Sequence, residues 1–409
     1  MGQKSIILSM VLLMGIVMQG LQGAEKIEEL KRIPVWYGYS ARQGCRKTME
    51  DLSVVCCEKK KNYALFGLFD GHGKGSQIAN ICASNIVELY DRQHHESPRM
   101  KLEGAIKKLE EASRNFLKKY PSERSGTTLL ASVYAYGSLE RNKIFLHLAH
   151  VGDSRGMVID NNKVVFTTVD HKPLNEEEKK RIMKINSNIV EIDETTHEKK
   201  QILIEPNNRI KIGSYSLAMS RSIGDEHYKG DPYTGGLIAT PEINLVENVD
   251  SAIVLLATDG FWNKMEIDDK GDKTGKKTMG IVTFVQKFLQ NNKDQDKKNS
   301  KRGENGEISL REESGPEWAE SKGTSTILTY LAQALRDKAY KRGSKDNISV
   351  MIMSLNKEFR DEEPAKKPVE EPLKPNEYPV YQKRLLSREE LEQLGLTDAF
   401  ADDKKDEKG

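Results

Sequence analysis

The chain has 409 residues, with 64 Lys and Arg against 62 Asp and Glu, so its net charge of +2 is a near-cancellation within a 31% charged composition. That balance excludes a global attraction to nucleic acid or to an anionic membrane. No stretch beyond residue 25 approaches the roughly 18 consecutive apolar positions of a membrane span, and long apolar-periodic segments between residues 50 and 260 exclude whole-chain disorder.

The N-terminus carries one early cation, Lys4, then an apolar run from Ile6 to Met18 and small residues at Gly20, Gly23 and Ala24. This is the pattern of a secretory signal peptide over residues 1–24, cleaved after Gly23, and it predicts entry to the secretory pathway and secretion. The alternative is an uncleaved signal anchor that tethers the chain to a membrane through residues 5–21. Myristoylation is disfavoured because Ile6 stands where Ser or Thr is required. Cys45, Cys56, Cys57 and Cys82 match no zinc spacing and are expected to be ordinary thiols.

From about Ile33 to Leu355, short β-like runs alternate with amphipathic helices. LSVVCCE, NYALFGLFDG, GTTLLASVYAYG, KIFLHLAHVGDS, GMVIDNNKVVFTT, AIVLLATDG and NISVMIMSL read as strands, many bounded by Gly, Asn or Asp. SQIANICASNIVELYDRQ and GAIKKLEEASRNFLKKY form an early helix pair, and MGIVTFVQKFLQNN and TSTILTYLAQALRDKAYKRG a later one. Strands, a helix pair, strands, a second helix pair and a last strand predict a layered α+β domain with helices outside a largely antiparallel β core. Residues 171–216 read as a polar helix followed by loop, and residues 290–323 as a flexible surface insertion. Beyond residue 356 the chain becomes a charged tail over 357–409, with five of its 13 prolines between Pro364 and Pro379 and a short helix capped by Ser387 over 385–399. The sequon Asn347-Ile348-Ser349 falls inside a strand-like run, where glycosylation is not expected after folding.

Carboxylates beside glycines at strand ends carry the chemistry. Glu50 and Asp51 lie in GCRKTMED, Asp70 in LFGLFDGHGKG, Asp153 in AHVGDSRG, Asp259 in LLATDGFW and Asp346 in GSKDNISVM. A single Asp-Gly marks a turn. Several strand-edge carboxylates in one domain, with Arg46 and His72 close by, point instead to a metal centre, and hard oxygen ligands select Mg²⁺ or Mn²⁺.

The ordered motifs GCRKTMED, FDGHGKG, SGTTLL, AHVGDSRG, DHKPLNEEEKKRI, LAMSRSIGD, ATPEI, ATDGFW and KDNISVMI resemble those of type 2C metal-dependent protein Ser/Thr phosphatases, over about residues 36–355. The resemblance implies a phosphatase domain over 33–356 with a four-layer α-β-β-α sandwich, an antiparallel β-sandwich flanked by helix pairs. It implies hydrolysis of phosphoserine and phosphothreonine in proteins by a metal-activated water, with no phosphoenzyme, at two Mg²⁺ or Mn²⁺ ions and a weaker third. By position, Asp70 would bridge two ions, the Gly71 carbonyl would add a ligand, Asp259 and Asp346 would complete the centre, and Glu50 and Asp51 would hold metal-coordinated water. Asp153, with Asp259, resembles the third-ion site. Arg46 would clamp the substrate phosphate, and His72 would protonate the departing oxygen.

Two departures stand out: Asn263 replaces a frequent Asp four residues after Asp259, and INSNIVEI replaces a double-glycine segment of the flap. A catalytically inactive scaffold that binds a protein partner is the competing reading. It would have lost a ligand or the arginine, and all are present. A metal-dependent nuclease would need a basic stripe, which the scattered charge does not supply. Partners are therefore expected to be phosphoproteins rather than nucleic acid, a membrane is involved only if the anchor is retained, and the chain is expected to be a monomer.

Overall fold

A computed structural model describes residues 33–57, 61–73, 76–136, 143–188, 202–212, 215–229, 236–271, 277–301 and 324–360. The expected signal segment, most of the 290–323 insertion and the tail beyond residue 360 lie outside these residues.

In chain order the first part comprises β1 (Trp36–Arg42), β2 (Asp51–Cys56), β3 (Tyr63–Gly73), α1 (Gln77–Asp91), α2 (Pro98–Lys119), β4 (Ser125–Thr127), β5 (Leu129–Tyr136), β6 (Ile144–Val151), β7 (Arg155–Asp160) and β8 (Lys163–Thr167). A middle portion follows with α3 (Glu176–Asn188), β9 (Leu203–Glu205), β10 (Arg209–Ile212), β11 (Tyr215–Leu217) and β12 (Ile223–Gly224). The last part holds β13 (Glu242–Val246), β14 (Ile253–Ala257), α4 (Asp259–Trp262), the two-residue strands β15 (Lys270–Gly271) and β16 (Lys277–Thr278), α5 (Ile281–Lys301), α6 (Thr326–Lys341) and β17 (Ile348–Ser354).

Two antiparallel sheets form the centre. One has the order β1-β17-β14-β7-β8, and the other β12-β4-β3-β5-β6-β13 with β2 also paired to β3. Alternate residues of each strand point into the space between the sheets. Tyr37, Phe66, Leu68, Tyr134, Leu148, Leu256, Met351 and Met353 meet there as one buried cluster. The edge-to-face contact of Phe66 with Tyr37, at a centroid separation of 5.5 Å, ties the two layers together, and Phe66 meets Tyr134 of its own sheet in the same way at 6.1 Å. The opposite residues of β3, including Leu65 and Phe69, face α1 and α2, while Leu255, Val350 and Ile352 face α5 and α6. Strands β3, β14 and β17 are thus buried on both faces, and each fully buried Leu, Ile or Phe contributes about 1.5–3 kcal/mol. The result is the expected α-β-β-α sandwich.

Local chemistry sets the boundaries. The β7–β8 hairpin turns on Asn161 and Asn162, both at positive φ (47° and 59°), as a tight two-residue turn with the sheet's twist requires. Ser325 begins α6 by accepting the Leu328 N–H, and its own N–H is held by Tyr37 O at 2.8 Å. That contact brings α6 against β1 so closely that a Cβ on Gly38 would lie 2.1 Å from Thr329 N.

The structure departs from expectation in four places. Strand β1 was not foreseen, although Val35, Tyr37, Tyr39 and Ala41 alternate onto one buried face; Gly38 and Ser40 lie on the other face, which α6 covers. Helix α2 begins at Pro98, six residues before Gly104, because Ser97 and Pro98 supply a helix start. Within the segment read as loop, β9, β10 and β11 form a small sheet whose Ile210 and Leu217 pack with Ile182 of α3 and with Ile202, Met219, Tyr228 and Leu237. Helix α5 runs to Lys301, so its last turns enter the segment expected as a flexible insertion. The four cysteines are free thiols, as expected.

Candidate metal centre

The carboxylates gather at one end of the two sheets. Asp51 opens β2 directly opposite Asp70 on β3. From the other sheet, β14 ends at Ala257 and hands on to Thr258 and Asp259, while Asp346 precedes β17. Thr258 joins the layers: its hydroxyl donates to Asp51 Oδ2 at 2.9 Å and accepts from Ser349 N–H at 3.1 Å. The Asp70 N–H donates to Thr128 Oγ1 at 3.2 Å, and Thr128 N–H returns a bond to Asp70 O at 2.9 Å. These bonds hold both strand ends while leaving the carboxylates facing one another.

Their electrostatics describes a site built for cations. Burial, then repulsion from Asp51, Asp259, Asp153 and Asp346, holds the Asp70 carboxyl well above its ordinary value. Burial is also the main reason that Asp51 and Asp259 are pushed up to about 7. Asp51 Oδ1 and Asp153 Oδ1 are buried without a protein hydrogen-bond partner. Unpartnered carboxylate oxygens in a low-dielectric pocket are costly unless a cation meets them, so these residues fit an oxygen-ligated divalent ion.

Glu50 and Arg46 come from the loop before β2. Asn347 fastens that loop: its Nδ2 donates to Gln43 O and Thr48 O at 2.8 and 3.0 Å, and its Oδ1 accepts the Glu50 N–H at 2.8 Å. The sequon asparagine is therefore buried and its amide committed. Gly71 N–H donates to Glu50 O at 3.1 Å. Arg46 reaches Asp346 Oδ2 at 2.6 Å with a side chain 54% exposed. Burial opposes its charge, but the Asp346 bond and nearby acidic groups raise its pKa.

Asp153 follows β6, where its Oδ2 is paired with Lys172. Asn263 Nδ2 donates to Asp259 Oδ2 at 3.1 Å. Of the two carboxylates that the resemblance assigns to a third ion, Asp153 thus already carries an ammonium partner, and Asp259 meets an uncharged amide where a further carboxylate ligand would stand.

His72 lies two residues beyond Asp70 on β3, hence on the same face. Its Nε2 is 2.7 Å from Asp225 Oδ2, and Nδ1 is buried without a partner. Burial alone would lower the ring's pKa, but the Asp225 carboxylate reverses this and raises it. Asp225 escaped the sequence reading because it ends a short turn motif, SRSIGD, 153 residues from His72. Its signal was an Asp after a glycine, common in turns.

A second cluster sits beyond Gly152. His150, His171 and Glu242 bring potential ligand atoms within 4.8 Å of one another. The two rings stack at 4.4 Å and 3°. Gly152 N–H donates to His171 Nδ1 at 3.1 Å, so the ring proton sits on Nε2, which faces Glu242 at 3.7 Å. A metal-bound histidine needs a bare nitrogen toward the ion and an acceptor for its other N–H. His171 has the reverse, which makes this a structural stack.

Comparisons with known proteins bear on the family and the fold. A family model described as Protein phosphatase 2C matches residues 36–298. The chain is 28% identical over 257 residues to Protein phosphatase 1B of Mus musculus, covering 57% of this chain and 59% of that protein. With Protein phosphatase 1A of Bos taurus the identity is 28% over 249 residues, covering 56% and 58%. The chain thus spans less than two thirds of these relatives' length. A solved serine-threonine phosphatase 2C from Toxoplasma gondii superposes with a TM-score of 0.53 at 19% identity, over 80% of this chain and 97% of that one. A C. elegans sex determining protein gives 0.53 and 19%, over 78% and 65%. At such identities the structural likeness establishes the fold.

Proposed function

The chain belongs to the protein phosphatase 2C family, and from that premise we propose that it hydrolyses phosphoserine and phosphothreonine in proteins at a centre of two Mg²⁺ or Mn²⁺ ions. The observation that carries the reading is the convergence of Asp51, Asp70, Asp153, Asp259 and Asp346, in which burial and mutual repulsion raise the carboxyl pKa values of Asp51, Asp70 and Asp259 and one oxygen each of Asp51 and Asp153 is buried without a partner. Asp70, Asp259, Asp346 and the Gly71 carbonyl would hold the ions, with Glu50 and Asp51 positioning their water. When bound, the ions supply Lewis-acid charge and lower the pKa of water.

The remaining work falls to the chain. Arg46, exposed at the rim, exchanges its bond to Asp346 for two parallel hydrogen bonds to phosphate oxygens. His72 supplies a proton to the departing Ser or Thr oxygen. Lys172 pairs its charge with Asp153, and Asn263 brings an uncharged amide to Asp259 in place of a further carboxylate, which supports a count of two ions rather than three. All the residues whose loss would mark an inactive scaffold are retained.

The test is phosphate release from a phosphothreonine peptide by the full chain, with Mn²⁺, with Mg²⁺ and with chelator, beside Asp259→Asn. Metal-dependent turnover that the variant abolishes supports the proposal. No turnover by folded protein with either ion refutes it. The apolar run from Ile6 to Met18 supports targeting to the secretory pathway; N-terminal sequencing of the exported protein tests it, and an intact Met1 would overturn cleavage.

A further inference from the structure

We propose that Asp225 is the positioning residue for His72, and that Gly126 and Ser222 complete a unit that holds the ring toward the leaving group. The inference rests on the phosphatase reading and deepens it.

Three independent features carry it. First, Asp225 Oδ2 is shared between His72 Nε2 at 2.7 Å and the Ser222 hydroxyl at 2.6 Å, with Asp225 almost wholly buried. One ring nitrogen is thereby committed, and Nδ1 is the nitrogen left without a protein partner. Second, Asp225 itself is held in a left-handed backbone conformation (φ 51°, ψ 41°), with its N–H bonded to Ser125 O at 3.1 Å and its carbonyl accepting from Tyr228 N–H at 2.8 Å. Among non-glycine residues Asp and Asn adopt that conformation most readily, so the backbone presents this carboxylate at a fixed place. Third, Gly126 lies opposite His72 on β4 and opposite Gly224 on β12. A Cβ there would lie 2.0 Å from Asp225 Oδ2 and 2.7 Å from His72 Nε2. The chain leaves room at that position for this one hydrogen bond.

In the reaction, water forms a new P–O bond as the P–O bond to the Ser or Thr side chain breaks. The attacking water loses one proton, and the departing oxygen takes one from the His72 ring, which is later reprotonated. A ring turned away from the leaving oxygen forces it to depart as an alkoxide. An aryl oxide such as p-nitrophenolate departs without that proton, so its release is far less sensitive to the ring's placement.

The experiment compares the full chain with Asp225→Asn, with Mn²⁺, on a phosphothreonine peptide and on p-nitrophenyl phosphate. Asn keeps the left-handed backbone and the shape of the side chain, and circular dichroism with chemical denaturation checks folding. We expect kcat on the peptide to fall by about 10²-fold, at least tenfold more than on the aryl ester. Adding His72→Ala to Asp225→Asn should cause no further loss on the peptide beyond that of His72→Ala alone. Ser222→Ala, which keeps the carboxylate, should shift the same ratio more weakly, and it serves should Asp225→Asn fail to fold. Equal losses on both substrates, or additive losses in the double variant, would overturn the inference while leaving the phosphatase intact. Failure of the wild-type protein on both substrates would sink the phosphatase reading and this inference with it.

Discussion

Asp51→Asn should stabilise the metal-free protein. Asp51 is buried opposite Asp70, with Oδ2 on the Thr258 hydroxyl and Oδ1 without a partner. Its carboxyl is pushed from 3.8 to about 7, chiefly by burial, against hydrogen bonds that favour ionisation. Because the folded value lies above the unfolded one, the folded state binds the extra proton. That stability is complete below about pH 4 and is lost as pH rises through about 7. Each pH unit of displacement corresponds to about 1.4 kcal/mol, so an isolated group would cost the fold about 4 kcal/mol at pH 8. The repulsion is shared with Asp70 and Asp259, so removing one charge should recover on the order of 1–3 kcal/mol. The asparagine Oδ1 still accepts from Thr258, and its amide meets neighbouring carboxylates instead of repelling them. The assay is urea unfolding in chelator between pH 4.5 and 8. The variant's advantage should be small at pH 4.5, grow toward pH 7 and level off above it. Saturating Mn²⁺ should erase or reverse it, because wild type then gains more from the ion. A variant no more stable than wild type at pH 8 in chelator would refute the argument that these carboxylates are held together at a cost.

Three further outcomes follow from the same geometry. Arg46→Ala should raise KM for a phosphopeptide by about tenfold or more, with Arg46→Lys recovering only part, since an ammonium lacks the paired donors of guanidinium; steady-state kinetics with equal KM for all three would contradict the clamp. Asn347→Ala removes three hydrogen bonds to the loop bearing Arg46, which should lower stability by about 2–3 kcal/mol and raise KM as well, read by denaturation and kinetics on one preparation. Gly38→Ala forces a Cβ against the backbone of Leu328 and Thr329 and should cost about 3 kcal/mol; a change below 0.5 kcal/mol in urea would show that α6 can move off β1 freely.

Much of the site was legible because its residues announce themselves locally. Asp70, Asp153 and Asp259 each end or follow an apolar strand, and the structure brings them together where those strands end. Arg46, Glu50 and Asp346 lie in loops that join or precede strands of the two sheets, and Asn347 binds those loops to each other. The residues that escaped reading are those whose meaning is relational. Asp225 is an unremarkable turn residue until His72 is beside it. Lys172 belongs to a legible motif, but its occupation of Asp153 depends on where α3's leading loop crosses the strand ends. Strand β1 alternates only through Val35, Tyr37, Tyr39 and Ala41, with small Gly38 and Ser40 between them where α6 packs, and the β9–β11 sheet is built from strands too short to show a period.

The sequence by itself determined the layered architecture and the acidic character of the centre, because side-chain period and strand-end carboxylates are local properties that burial only amplifies. Tertiary structure alone decided which carboxylates are left without partners, that Lys172 stands on Asp153, and that Gly126 opens a space for the His72–Asp225 bond. Those outcomes depend on distances between segments far apart in the chain, and no local pattern encodes a distance across two packed sheets.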